Sequence, residues 1–223
     1  MSDLLIAAPL SVEAALISSA ARGARVRKTG MGPVRAGSAA RELAQTPGGA
    51  LLVLGFCGGL DAESVPGEVI VAESVCAAGD EGHAPERVAC VDAAGLVGRL
   101  RERAMTVRSG EIVCVSKLAL GERRAQLLAG GALAVDMESV WLAGGAAGRP
   151  FAVVRVVLDS PSHELLRPRA AAGAVRAARV LRRVAGALHD WAPPSRAQGP
   201  AGSAGPRDGG AGDAGLYYGP RGV

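Results

Sequence analysis

Aromatic residues are nearly missing from this sequence: two Phe, two Tyr and two Trp make up 3% of 223 residues. A core built without them must rest on Ala, Val and Leu, within an apolar fraction of 49%. Such a core suits a buried, largely parallel sheet covered by helices rich in small residues. The basic residues are not interleaved with aromatics and no docking motif is present, which argues against a nucleic-acid binder. Histidine is also scarce, at three residues. The four cysteines (Cys57, Cys76, Cys90, Cys114) form no Cys-x-x-Cys pair and share no metal-ligand spacing with the histidines. No metal site and no organic cofactor is implied, and the cysteines read as free thiols in a reducing compartment. Long apolar runs are lacking too. The N-terminal "LLIAAPL" has no basic flank and is too short for a signal peptide or a membrane span, so a cytoplasmic protein is expected.

What is present is charge of uneven placement. The formal net charge is +4, and Arg167, Arg169, Arg176, Arg179, Arg182 and Arg183 fall in one C-terminal segment. Such a run can touch phosphates or anionic lipid head groups. Ala177, Leu181, Val184, Leu188 and Trp191 repeat at four-and-three spacing on the opposite face, the pattern of an amphipathic helix with a solvated basic side. From Ala192 onward Pro, Gly, Ala and Ser dominate and periodicity vanishes. The expected organisation is one folded domain over residues 1–191 and a disordered Gly/Pro/Ala-rich tail over 192–223.

Within the domain, short apolar runs alternate with helical patterns. "DLLIAA" reads as a strand, followed by Ser11 as N-cap of a helix through Ser19. "ARVRK" is a second strand, and "TGMGPVRAGSAARELA" is a glycine turn opening a helix with Pro33 in its first turn. Next come the strand "ALLVLGF", a glycine loop "CGGLD", the turn and strand "VPGEVIVAESV", and the helix "VDAAGLVGRLRERA". The strand "EIVCVS" and the helix "GERRAQLLAGG" precede the strand "ALAVDM", which runs into a helix "ESVWLAGGAA". "PFAVVRVVLD" is a strand ending in the loop "SPSHELLRP" before the last helix. Alternating strands and helices predict an α/β fold, with a mostly parallel or mixed central sheet flanked by helices.

Ligands in such sheets bind beyond the carboxyl ends of the strands. Glu13, Gly30 to Gly32, Gly55 to Gly59, Asp136 to Glu138, and Asp159 all fall there. Each has an ordinary structural explanation when taken singly: a first-turn acid, a turn glycine, a strand-terminal cap. The glycine loops lack the Lys-Ser/Thr ending of a P-loop and the spacing of a dinucleotide fingerprint, which argues against nucleoside triphosphates and NAD.

The order of these pieces over residues 4–190 resembles the nucleoside phosphorylase and nucleosidase family. "VDMES" is similar to that family's Met-Glu ribose motif, and "GFCGGLDAESVPGEVIVAE" to its Gly-Gly-Leu … Pro-Gly-Asp-Val strand-loop-strand. "VRVVLD" matches its Arg-x-x-Ser-Asp in spacing. "VDMESVWLA" and "VRVVLDSPSHELLRP" look closest to the hopanoid-associated phosphorylases, which act on adenosylhopane.

The resemblance implies a single-domain nucleoside phosphorylase-like fold and cleavage of the N-glycosidic bond of an adenosine-like nucleoside, with release of adenine. Methylthioadenosine/S-adenosylhomocysteine nucleosidase, futalosine hydrolase and a non-catalytic nucleoside-binding protein remain alternatives. Glu138 would hold the ribose hydroxyls, with Met137 against the sugar. Asp159 would bind the purine edge and pass a proton to the ring, a role that needs a pKa raised by burial. Glu13 would orient or deprotonate a water at the anomeric carbon, while Asp136 supports the loop. Gly30, Gly32 and Arg35 form the nucleophile or anion loop. Gly55, Phe56, Cys57, Gly58 and Gly59 form the glycine loop at the sugar end.

Two departures from the family pattern matter: Leu158 stands where the family has serine, and Phe56 where a hydroxyl residue is common. A phosphate nucleophile needs Arg, hydroxyl or N–H donors. Phe56 offers only its backbone N–H, and Glu13 would repel phosphate. This favours water, although Arg35 and Thr29 could still serve phosphate as co-substrate. The family also implies a homo-oligomer. A lipid-linked substrate would bring peripheral membrane contact through the Arg-rich helix.

Overall fold

The computed structural model describes residues 3–79, 87–163 and 170–193. The strands are β1 (Leu4–Ala8), β2 (Arg25–Lys28), β3 (Ala50–Gly59), β4 (Val69–Ala77), β5 (Arg87–Ala89), β6 (Val107–Cys114), β7 (Ala134–Asp136) and β8 (Phe151–Asp159). The helices are α1 (Ser11–Ser18), α2 (Pro33–Gln45), α3 (Ala93–Glu102), α4 (Gly121–Ala129), α5 (Ser139–Leu142) and α6 (Ala170–Leu188). The strands join one mixed sheet in the order β2-β1-β3-β7-β6-β4-β5, and β8 pairs with both β3 and β4. That extra pairing closes a circuit β3–β8–β4–β6–β7–β3, so the sheet curls back on itself. The expected α/β class, with a mixed central sheet flanked by helices, is what forms.

The apolar strands are covered on both faces, which explains their lack of polar alternation. In β1, Leu4, Ile6 and Ala8 pack with Leu52, Leu54, Val154 and Val156 and with the apolar stripe of α6. Leu5 and Ala7 point the other way, towards Val53, Val153 and the Ala36 and Leu43 side of α2. Ala177, Leu181, Val184, Leu188 and Trp191 are all buried. Arg176, Arg179, Arg182 and Arg183 are exposed. The periodicity of the last helix therefore reads correctly, with a solvated basic face. Arg167, Arg169 and the tail from residue 194 onward lie outside the described residues. Among the described residues no helix is long and apolar enough to cross a membrane. The cysteines are free, and three of the four are buried.

Several local expectations are corrected. Leu10, not Ser11, caps α1 with an extended backbone, because the Glu13 carboxylate reaches back to accept its N–H at 2.6 Å. The glycine loop "CGGLD" is mostly strand: Gly58 and Gly59 pair antiparallel with Val135 and Ala134 of β7, extending β3 to Gly59. Glycine's turn chemistry is overridden there because β7 supplies a pairing partner. The helix "ESVWLAGGAA" is shorter than expected: Glu138 precedes it, α5 ends at Leu142, and one 3-10 turn follows over Ala143–Ala146. The short edge strand β5 carries no apolar run that would mark it in the sequence.

Trp191 ties the end of α6 to the start of α3. Its ring joins the main core, and its Nε1–H donates to Asp92 at 2.9 Å. Trp191→Ala should cost about 3–5 kcal/mol in urea unfolding. Trp191→Phe, which keeps a ring and loses the donor, should cost about 1 kcal/mol. Equal losses would mean the hydrogen bond, not the packing, holds this joint.

Candidate active site

The site grows from one charge in an apolar strand. Arg155 sits midway along β8 with its side chain 0% exposed. A bare guanidinium cannot stay there, so its surroundings must supply acceptors. Its Nη2 lies 2.7 Å from Asp136 Oδ2 and 3.5 Å from Glu138 Oε2, and donates to Ser139 Oγ at 2.9 Å. Asp136 ends β7 and also organises the turn after it. Its Oδ1 accepts the backbone N–H of Glu138 and Ser139 at 3.1 and 3.2 Å and the Cys114 thiol at 2.9 Å, while Oδ2 accepts from Ser139 Oγ. Asp136 is the support that the sequence suggested.

Two further acids reach the same centre from other elements. Glu13 comes from the first turn of α1, and its Oε1 accepts the Phe56 N–H at 2.6 Å. Glu138 accepts the Gly32 N–H at 3.1 Å. Gly32 has φ +87°, so a residue with a Cβ would strain the turn that aims this N–H. Gly55 is needed for a different reason: a Cβ there would lie 2.6 Å from Glu13 Oε1 and 2.7 Å from Arg155 Nη1.

One cation cannot neutralise three buried carboxylates. Burial would raise Asp136, but Arg155 and the hydrogen bonds from Cys114, Ser139 and the Glu138 N–H outweigh it and hold it below its ordinary value. Glu138 gets less: burial pushes it up to about 7, with Asp136 adding to the rise against the pull of Arg155. Glu13 is raised as well, by burial, against Arg155 and the Phe56 and Leu10 N–H groups. Arg155 itself is pulled down by burial and raised further by Asp136, Glu138 and Glu13, so it stays charged. The result is a fixed anion beside two carboxyls poised to change protonation or accept hydroxyl protons.

These groups open on a cavity of about 150 Å³, lined among others by Glu13, Phe56, Met137, Glu138, Leu158 and Asp159. Cys57 and Gly58 also line it. Burial and nearby acids push the Cys57 thiol far up, so it is inert lining. Gly30 and Arg35 lie instead in an adjoining open basin of about 620 Å³ with Lys28 and Thr29, which shares Pro9, Leu10 and Met31 with the central cavity. The buried Thr29 hydroxyl has no hydrogen-bond partner among the described residues. Gly59 is not brought to the cavity; it pairs with Ala134 and packs against Ser64.

Two site residues were not foreseen. Arg155 left a signal, a lone charge inside "FAVVRVVLD", which implies a buried partner. Arg124 left almost none. It is one of two adjacent arginines in α4, yet it is 4% exposed and ion-paired to Asp159 at 2.6 Å. Only the helical phase it shares with buried Leu127 sets it apart from Arg123.

Arg155→Met should destabilise the fold by about 3–5 kcal/mol, since Asp136 would remain buried and uncompensated. Glu138 should act in the opposite sense. Its carboxyl is raised from 4.5 to about 7 in the folded chain, so the stability it contributes is present below about pH 4.5 and lost as pH rises through about 7. Urea unfolding across that window should show wild type losing ground to Glu138→Gln, with a constant gap above it. Parallel curves would show that Glu138 titrates normally.

The sequence matches a family model described as the phosphorylase superfamily over residues 20–186. No curated protein sequence matches. Among solved structures, the fold is shared with a futalosine hydrolase of Helicobacter pylori (TM-score 0.72, 16% identity, covering 84% of this chain and 97% of that one). It is also shared with a 5′-methylthioadenosine/S-adenosylhomocysteine nucleosidase of Neisseria meningitidis (0.70, 17%, 84% and 98%). An S-adenosylhomocysteine nucleosidase of Streptococcus pyogenes is similar too (0.67, 19%, 83% and 96%). At such identities these structures show the fold, while the family model covers most of the sequence: the chain belongs to the phosphorylase superfamily, the nucleoside phosphorylase and nucleosidase family that its motifs resemble.

Proposed function

We propose that the protein cleaves the N-glycosidic bond of an adenosine-like nucleoside and releases adenine. The observation that carries this reading is the convergence of Glu13, Glu138 and Asp159, from α1, the turn after β7 and the end of β8, on one cavity at the carboxyl ends of the strands. Glu138, held by the Gly32 N–H and Arg155, accepts the ribose hydroxyls with charge-assisted bonds. Its negative charge also favours the oxocarbenium-like state formed as the bond breaks. Met137 packs against the sugar, and Asp159 lies at the base end.

Water is the nucleophile that the hydrogen bonding favours. The Phe56 N–H, the one donor its residue could offer to phosphate, is already spent on Glu13. Glu13, raised by burial, is a base suited to taking a water proton. Phosphorolysis is the second reading, supported by Lys28, Arg35 and the unpartnered Thr29 hydroxyl in the adjoining basin. For the 5′-group, the cavity wall is apolar at Leu10, Met31, Leu118 and Leu158, with Met31 and Leu118 exposed at 49% and 65%. That favours a greasy substituent, a hopane chain or a thioether, over a bare hydroxyl.

The deciding experiment is purine release from adenosylhopane, methylthioadenosine and futalosine, each with and without phosphate. Release without phosphate is expected, with kcat about 100-fold lower or worse in Glu13→Gln. Release only with phosphate would make the enzyme a phosphorylase and Glu13 a structural acid. No release from any of the three would leave a nucleoside-binding protein.

A further inference from the structure

The base end of the cavity holds a buried cation with no part in the chemistry described so far. Arg124 projects from α4, where its Nε donates to the Ala119 carbonyl at 2.9 Å and its Nη2 to Asp159 Oδ2 at 2.6 Å. A guanidinium carries more N–H donors than these two bonds use. Arg124 and Asp159 together line a space of about 40 Å³ that shares Gly58, Val135, Met137 and Asp159 with the nucleoside cavity. Gly58 leaves the approach open: a Cβ there would stand 3.0 Å from Arg124 Nη2 and 3.2 Å from Asp159 Oδ1. Donor and acceptor are therefore presented side by side, beneath a bare stretch of strand.

A 6-aminopurine shows the complementary pattern on its outer edge, the N7 acceptor beside the N6–H donor. A carboxylate alone can satisfy N7 only after it has taken up a proton. A guanidinium supplies the hydrogen bond as it stands and is charged at every working pH. We propose that Arg124 donates to N7 of the departing purine, and that Asp159 fixes Arg124 while accepting from the exocyclic amine.

This assignment rests on the nucleoside-cleaving reading and changes how the base leaves. As the C1′–N9 bond breaks, its electron pair stays on the purine and the charge spreads across the ring to N7, where the fixed cation faces it. The water oxygen bonds to C1′ and its proton passes to Glu13. The purine anion takes one proton from solvent on release, and Glu13 returns its own to solvent. No acid residue has to be protonated for the bond to break.

The test pairs a ligand change with a protein change. Methylthioadenosine and its 7-deaza counterpart, which lacks the N7 acceptor, are compared on wild type, Arg124→Met, Arg124→Lys and Asp159→Asn. Wild type should bind the N7 compound about tenfold or more tightly than the 7-deaza compound, and Arg124→Met should bind the two with the same Kd. Asp159→Asn should keep much of the preference. Should Arg124→Met not fold, Arg124→Lys provides the second readout. Its kcat on methylthioadenosine should fall about 100-fold, with little change on 4-nitrophenyl riboside, whose leaving group needs no help at a ring nitrogen. Preference lost in Asp159→Asn but kept in Arg124→Met, or equal losses on both leaving groups in Arg124→Lys, would overturn the role of Arg124 alone. A wild type that binds and cleaves neither nucleoside overturns the nucleoside reading and this assignment with it.

Discussion

The site depends on one permanent charge buried in the middle of β8. Arg155 cannot shed its proton and cannot reach water, so the chain must bring acceptors to it. Asp136 and Ser139 do so from the end of β7 and the start of α5, Glu138 more distantly from the turn between them, and Glu13 through the field it shares with the others. Asp136 takes most of the compensation because backbone N–H groups and two side-chain donors hold it as well. Glu138 and Glu13 receive the remainder and stay raised. A single cation thus divides three acids into one structural anion and two that remain available to a substrate.

The closed circuit of strands makes that division possible. β8 runs parallel to β3 and antiparallel to β4, while β3 crosses to β7 at Gly58 and Gly59. The curl brings the ends of β7 and β8 against the glycine-bearing end of β3, where Phe56 and Cys57 are flanked by Gly55, Gly58 and Gly59. Gly55 and Gly58 are bare where Glu13, Arg155, Arg124 and Asp159 must approach the strand.

Each end of the cavity has its own electrostatic character. Beside Glu13 the Phe56 N–H is committed to that carboxylate, so one backbone donor that could serve an incoming anion is taken. At the end of β8 a second buried arginine faces another acid, and Arg124 with Asp159 forms a donor–acceptor pair in place of a lone carboxyl. The family resemblance implied a proton-passing role for Asp159 and named no partner for its carboxyl. The ion pair gives it a partner that the linear pattern does not reveal.

What the sequence determined by itself are the features set by local order and composition. Alternating apolar runs and helical patterns specify the α/β class. The α6 stripe from Ala177 to Trp191 specifies its buried face, and the positions of Glu13, Gly32, Glu138 and Asp159 at element junctions specify which residues can meet at the strand ends. The tertiary structure alone decided what pairs with what. "CGG" became strand because β7, far along the chain, supplied its partner, and Leu10 rather than Ser11 capped α1 because the Glu13 carboxylate turned back onto it. Arg155 chose Asp136 over Glu138 by distance, and Arg124 rather than Arg123 reached Asp159 through the phase of α4. These contacts join residues as far apart along the chain as Gly58 and Val135. Their strength depends on burial and on distances of a few ångströms, which a linear order of residues does not encode.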